Sequence, residues 1–243
     1  MHVWDETIAS RGAHEIVSCI LKHVKNLRRE RHVIAYSDMC AGQNRNIKVA
    51  LMWLKIVQTL ENNVEIIDRK FLISGHSSLP NDRDFRVVEM SLKKNNLPFV
   101  PRDYYKIIKK CRKGNNFIVN ETRQEDFVST KLFEDAIFKR VKNSDGESIN
   151  WLKICWMRFV RNEPYKIFYK TLMNENENLK VLNLLPSRGR PRKFENIVST
   201  PLYKNIKQIT TAKFKDITDL LRYIPPEHHD FFKSLSHAQN VDE

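Results

Sequence analysis

The stretch that most limits what this chain can fold into is Val33-Ile34-Ala35-Tyr36, an unbroken apolar run that stops at Ser37-Asp38. A run of that length with no polar alternation suits a central strand covered on both faces. Helical patterns flank it. Upstream, Ile16, Cys19, Ile20, Val24 and Leu27 recur at helical spacing, and the segment ends in the basic cluster Arg28-Arg29-Glu30-Arg31. Downstream, Gly42 breaks the chain and Asn44 reads as a helix N-cap. Ile47, Ala50, Leu51, Leu54 and Val57 then share one helix face. Residues 64–74 form a further strand pattern through Ile66, Ile67, Phe71 and Ile73, and residues 1–9 read as a strand that turns at Ser10-Arg11-Gly12. Strand and helix patterns thus alternate, as in an α/β sheet with crossover helices.

Beyond the Gly75 and Pro80 breaks, Asp82 or Asp84 caps a helix that turns Val88 and Leu92 inward and carries Glu89. Pro98 and Pro101 interrupt, and Asp103 opens a helix with Tyr104, Ile107, Ile108 and Cys111. From about residue 115 the periodicity weakens. Residues 117–119, 151–159, 165–169 and 181–185 are β-rich, residues 212–224 are helical up to Pro225-Pro226, and 228–235 suit a short last helix. This predicts an α/β sheet domain over 1–114 and a smaller α+β region over 115–243, with a basic segment at 186–193.

Hydrophobic residues make up 41% of the chain, enough for a folded core rather than a disordered coil. The formal net charge of +13 favours a polyanionic partner through phosphate neutralisation. Cys19, Cys40, Cys111 and Cys155 are far apart, which argues against a zinc site or a disulfide framework and for a reducing compartment, nucleus or cytosol. There is no secretory signal pattern and no apolar run near the ~20 residues of a membrane helix, so neither secretion nor a membrane partner is expected. A Gly-Lys-Ser/Thr phosphate loop and a Gly-x-Ser-x-Gly elbow are both missing, and no small-molecule cofactor is expected.

The chemistry-bearing candidates are acids. Asp38 lies at the carboxyl end of the best strand, the edge of an α/β sheet where ligands and catalytic groups collect. Asp82 and Glu89 are seven residues apart, close to two helical turns, so both fall on one helix face. Oxygen-only carboxylate sites suit Mg2+ or Mn2+, and two such ions can drive phosphodiester cleavage. Each acid also has an ordinary reading: Asp38 as a turn cap, Asp82 as a helix cap, Glu89 as a solvated helix residue.

The segments Val3-Trp4-Asp5-Glu6-Thr7-Ile8-Ala9-Ser10-Arg11-Gly12, Ser37-Asp38-Met39-Cys40-Ala41-Gly42-Gln43-Asn44-Arg45-Asn46 and Gly75-His76-Ser77-Ser78-Leu79-Pro80-Asn81-Asp82-Arg83-Asp84-Phe85, with Glu89, resemble a family of uncharacterised transposon-derived proteins of animal genomes. Lys213-Phe214-Lys215-Asp216-Ile217, Ile224-Pro225 and Phe231-Phe232 extend the resemblance toward the C-terminus. It implies an RNase H-like core of the transposase or integrase type. Such cores use an Asp on the first strand, an Asp on the fourth, and an acid on a later helix. Asp38 would be the fourth-strand acid, Asp82 or Glu89 the helix acid, and His76 an accessory group or an ordinary loop histidine. The sequence opens at the segment matching the third strand, and neither Asp5 nor Glu6 replaces the first-strand Asp. The resemblance therefore implies an incomplete RNase H-like mixed sheet with flanking helices, an unpaired edge beside the Asp38 strand, and a fragment, a misplaced start or a decayed copy that is inactive alone.

DNA is the expected partner. Arg188-Gly189-Arg190-Pro191, followed by Arg192 and Lys193, contains the Arg-Gly-Arg-Pro core of an AT-hook, which fits a narrow minor groove. A solvated basic loop is the plain alternative. Asn44 and Arg45 are placed to contact DNA or to serve a helix start. Lys106, Lys109, Lys110, Arg112 and Lys113 form a stripe that is either a phosphate-binding or a solvated face.

Overall fold

The computed structural model describes residues 1–27, 29–59, 63–72, 79–95, 97–114 and 116–238. In chain order the elements are β1 (His2–Val3), α1 (Ala13–Val24), β2 (His32–Ser37), α2 (Ile47–Gln58), β3 (Ile66–Phe71), α3 (Pro80–Lys94) and α4 (Pro101–Lys110). Then come β4 (Asn120–Glu121), β5 (Val128–Ser129), α5 (Lys131–Glu134), β6 (Trp156–Val160), β7 (Lys166–Lys170), β8 (Lys180–Asn183), β9 (Thr200–Pro201), α6 (Thr211–Leu220) and α7 (His229–Lys233). The protein is mixed α/β, and it divides into two units, each assembled from separated segments. A sheet unit comprises Arg11–Ser77 and Phe127–Leu202. A helical unit comprises Met1–Ser10, Ser78–Asp126 and Tyr203–Glu243.

The sheet unit is built on a five-stranded mixed sheet in the order β2-β3-β6-β7-β8. β2 and β3 run parallel, while β3, β6, β7 and β8 are antiparallel in succession. One face is the core. Ile67 and Phe71 of β3, Met157 and Phe159 of β6, Ile167 and Tyr169 of β7, and Leu182 of β8 are buried in one cluster with α2. α2 is buried almost all round, from Val49 to Val57, because α1, α5 and the segment around Phe194 cover the sides the sheet does not. Asn46 starts this helix: its backbone is extended and its side chain accepts from Val49 N at 3.1 Å.

The helical unit holds α3, α4, α6 and α7, with β1 and β4 paired in parallel. Asp82 and Asp103 occupy the third helical positions of α3 and α4 and accept from backbone amides just before each helix. No helix among the described residues is long and apolar enough to cross a membrane.

Four expectations are corrected. The Val33–Tyr36 run is not central: β2 is the sheet's terminal strand, and Ile34 and Tyr36 are each 48% exposed. The strand buried on both faces is β3. Residues 1–9 contain only the two-residue β1, because Asp5 accepts from Thr7 N at 2.9 Å and turns the chain. Asn44 does not cap α2, since Asn46 takes that place. Finally, the sheet does not end near residue 114, because β6, β7 and β8 complete it from the second half of the chain. Phe159 is fully buried at the centre of the core face, so Phe159→Ala should lower unfolding free energy by about 3–5 kcal/mol in a denaturant titration.

Candidate functional site

The carboxyl ends of β2 and β3 lie side by side because the two strands are parallel and in register, Ser37 opposite Phe71. Asp38 follows β2 directly and is exposed. Its Oδ1 accepts from Cys40 N at 3.2 Å and from Asn44 Nδ2 at 2.7 Å. Among the described residues no donor engages its other oxygen, which leaves that oxygen to solvent. Asn44 is held in turn from behind, where its Oδ1 accepts from Arg69 Nη2 of β3 at 3.3 Å. The amide thus sits between a carboxylate and a guanidinium with each end matched to its neighbour. A flipped amide would set donor against donor and acceptor against acceptor.

Arg69 is only 5% exposed. Burial pushes its guanidinium down to about 10, and the negative charge of Asp38 opposes that fall. Its Cζ lies 5.3 Å from the centre of the Phe71 ring and 5.9 Å from that of the Trp53 ring. Arg45, two residues before α2, is also buried, with Nη1 3.4 Å from Ile154 O. Arg69 Nε, Arg45 Nε and Trp53 Nε1 have no acceptor among the described residues. A buried donor without a partner costs about 1–3 kcal/mol.

The opposite face of the same strands carries a second charged cluster. The Asp68 carboxylate is 1% exposed and takes a two-pronged ion pair from Arg158, 2.8 Å to each oxygen. Trp156 Nε1 at 2.7 Å and His32 Nε2 at 2.8 Å complete the shell. Burial alone would raise the Asp68 carboxyl, but the bonds from Arg158, Trp156 and His32 outweigh it and hold it below the usual range. Lys70, Lys170 and Arg158 surround the Trp156 ring at 3.9, 4.7 and 5.4 Å.

The structure brings Asp38 and Asn44 together and puts Asp82 and Glu89 on one helix. It assigns the pairs to different units, Asp38 to the sheet unit and the α3 acids to the helical unit. Asp82 is exposed and accepts from Leu79 N at 2.7 Å, a helix cap, and Glu89 is exposed on α3. His76 lies outside the described residues. Arg45 is not a surface cation, because its side chain turns under the loop toward Ile154. Lys109 pairs with Glu121 at 2.9 Å, Arg112 pairs with Asp84 at 2.7 Å, and Lys110 is exposed. Arg188, Gly189, Arg190, Arg192 and Lys193 are exposed, with Gly189 in the left-handed region at φ 80°. Their loop is anchored at both ends. Arg140 binds the carbonyls of Asn183 and Leu185, while Tyr165 binds that of Arg192 and Lys55 those of Phe194 and Glu195.

Arg69, Asp68, Trp156 and Arg158 were not singled out from the sequence. The available signal was Asp68-Arg69-Lys70, three consecutive charges inside an apolar strand, which burial allows only with partners.

No family model matches the chain, and no curated protein or solved structure matches it.

Asp68→Asn should cost about 3 kcal/mol by leaving Arg158 unpaired, the low end of the usual range because Arg158 keeps 30% exposure. Since the folded carboxyl lies below its unfolded value near 3.9, its contribution is full above that pH and fades as pH falls through the folded value. Thermal melts from pH 7 to pH 2 should show the wild type losing its advantage over Asp68→Asn on acidification.

Proposed function

We propose that this chain is a transposase-like nucleic-acid-processing protein in which Asp38 belongs to a metal-dependent phosphodiester-cleaving site of an RNase H-like core. The observation that carries the reading is the Asp38 carboxylate at the end of a parallel strand pair, fixed through one oxygen by Asn44 and Cys40 and open through the other. Two further features support it. Among the described residues no strand pairs with the outer side of β2, beside Asp38. Arg69, buried on the neighbouring strand, holds the amide of Asn44 and so fixes the orientation of Asp38.

Magnesium or manganese is part of this proposal. At these strand ends the sheet unit offers one carboxylate, too few ligands for a divalent ion by itself. Among the described residues no group of three or more His, Cys, Asp or Glu side chains is disposed to hold a metal. In this proposal the further acid is Asp82 or Glu89, as the resemblance implies, and the substrate is DNA in the nucleus. A second reading, DNA binding without chemistry, is favoured by the anchored basic loop at 188–193 and the net charge of +13.

The test is nicking of supercoiled plasmid with Mg2+ or Mn2+, alongside duplex binding by fluorescence anisotropy across a salt series. The first reading expects metal-dependent nicking from a form that carries the first-strand Asp, lowered by Asp38→Asn at least about 100-fold, the scale of losing one charge-stabilising group, while binding persists. Binding without nicking in that form supports the second reading. In both, Arg188→Ala with Arg190→Ala should flatten the salt dependence by roughly one unit of slope for each phosphate that is no longer neutralised. Failure to bind at low salt sinks both.

A further inference from the structure

The outer edge of β2 is an open hydrogen-bonding template. Arg31 O accepts from Glu65 N and Ile66 N of the neighbouring chain segment, and Ser37 O accepts from Leu72 N. With the period of two along a strand, the odd-numbered backbone groups from Arg31 to Ser37 face β3, and those of His32, Ile34 and Tyr36 face away. Among the described residues no strand meets them. Natural edge strands are usually blunted by Lys, Pro, a bulge or a cover. The His32–Ser37 strand has neither Lys nor Pro, no positive-φ residue, and two large apolar side chains, Ile34 and Tyr36, each half-exposed.

We propose that β2 pairs antiparallel with β2 of a second copy of this chain, about a twofold axis at Ala35. The sequence of the strand selects this occupant and this register. With Ala35 opposite Ala35 of the partner subunit, Ile34 lies opposite Tyr36 of the partner subunit, and the symmetry makes that contact twice. Aromatic against β-branched is among the favourable cross-strand pairs, worth about 0.2–1 kcal/mol over Ala–Ala. The outward amides and carbonyls of Ile34 and Tyr36 then bond to each other across the interface. The same register brings His32, whose Nε2 lies 2.8 Å from Asp68, level with Asp38 of the partner subunit at both ends. Shifting the axis to Ile34 instead sets Glu30 level with Asp38 of the partner subunit, like charges. Shifting it to Tyr36 sets the apolar Ile34 against Asp38 of the partner subunit. Of these three registers, the Ala35 one alone avoids such a mismatch. The result is an isologous contact, in which one patch serves both subunits. It rests on β2 and the residues flanking it, and it needs no activity assigned to Asp38.

The test is sedimentation velocity of the full chain over a concentration series, with a crosslink to fix the register. The wild type should shift from monomer to dimer as concentration rises. Ile34→Lys and, separately, Tyr36→Lys should weaken the dimer at least about 10-fold, with circular dichroism showing an unchanged fold. Ala35 faces away from the ladder bonds, so its Cα lies about 4.5 Å from Ala35 of the partner subunit, within disulfide reach. In a Cys40→Ser background, chosen because Cys40 is exposed, Ala35→Cys should give a covalent dimer under mild oxidation, and Ile34→Cys much less. A chain that stays monomeric at every concentration overturns the proposal. So does a dimer that survives Ile34→Lys and fails to crosslink through Ala35→Cys.

Discussion

A charge placed in the interior strand of a sheet has to be answered by the elements around it, and in this protein three such charges in a row organise the sheet unit. Asp68, Arg69 and Lys70 occupy β3, a strand with neighbours on both sides. Alternation sends Asp68 and Lys70 to one face and Arg69 to the other. On the first face β2 contributes His32, and β6 contributes Trp156 and Arg158. On the second, the β2–α2 connection contributes Asn44, and the rings of Trp53 and Phe71 cover the guanidinium. A one-residue slip of β6 against β3 would carry Arg158 to the core and leave Asp68 uncompensated. The polar partners therefore fix the register that the apolar core by itself would fix less sharply.

The same constraint connects the interior to the surface. Asp38 is exposed, yet its orientation is set by an amide that is itself held by a buried arginine on the next strand. Coupling of this kind limits where a carboxylate can point without burying it. The basic loop at 188–193 is fixed on a different principle. Its side chains reach into solvent, while the carbonyls that flank it (Asn183, Leu185, Phe194 and Glu195) and its own Arg192 carbonyl are bound by Arg140, Lys55 and Tyr165, which fixes where the loop starts and ends.

Much of the local structure was legible in the sequence. The α1, α2, α3, α4 and α6 periodicities, the β2 and β3 runs, and the position of Asp38 at a strand end follow from spacing and breaks alone. Which strands become neighbours was not legible. Val33 to Tyr36 reads the same at a sheet's edge as at its centre, because an apolar run does not encode how many strands flank it. The β6 to β8 meander has ordinary alternation, and nothing in it announces pairing with a strand nearly ninety residues earlier, such as Trp156 with Asp68 (|i−j| = 88). The choice between Asn44 and Asn46 as the α2 cap turned on backbone conformation, extended at Asn46, which two nearby asparagines cannot reveal. Arg69 was missed for a related reason: a buried arginine is identified by its partners, and Asn44 and Asp38 come from another part of the chain.

The separation between β3 and β6 also sets a timetable. Trp156 follows Asp68 by 88 residues, which at translation rates of about 5–20 residues per second is roughly 4–18 s of synthesis. During that interval a nascent chain holds β3 with an acid, an arginine and a lysine that have only β2 and α2 to meet. The sheet closes when β6 emerges, and the Asp68 shell closes with it. Non-local pairing of this sort slows folding, so the chain's vulnerable period falls on the ribosome, before β3 has its second neighbour.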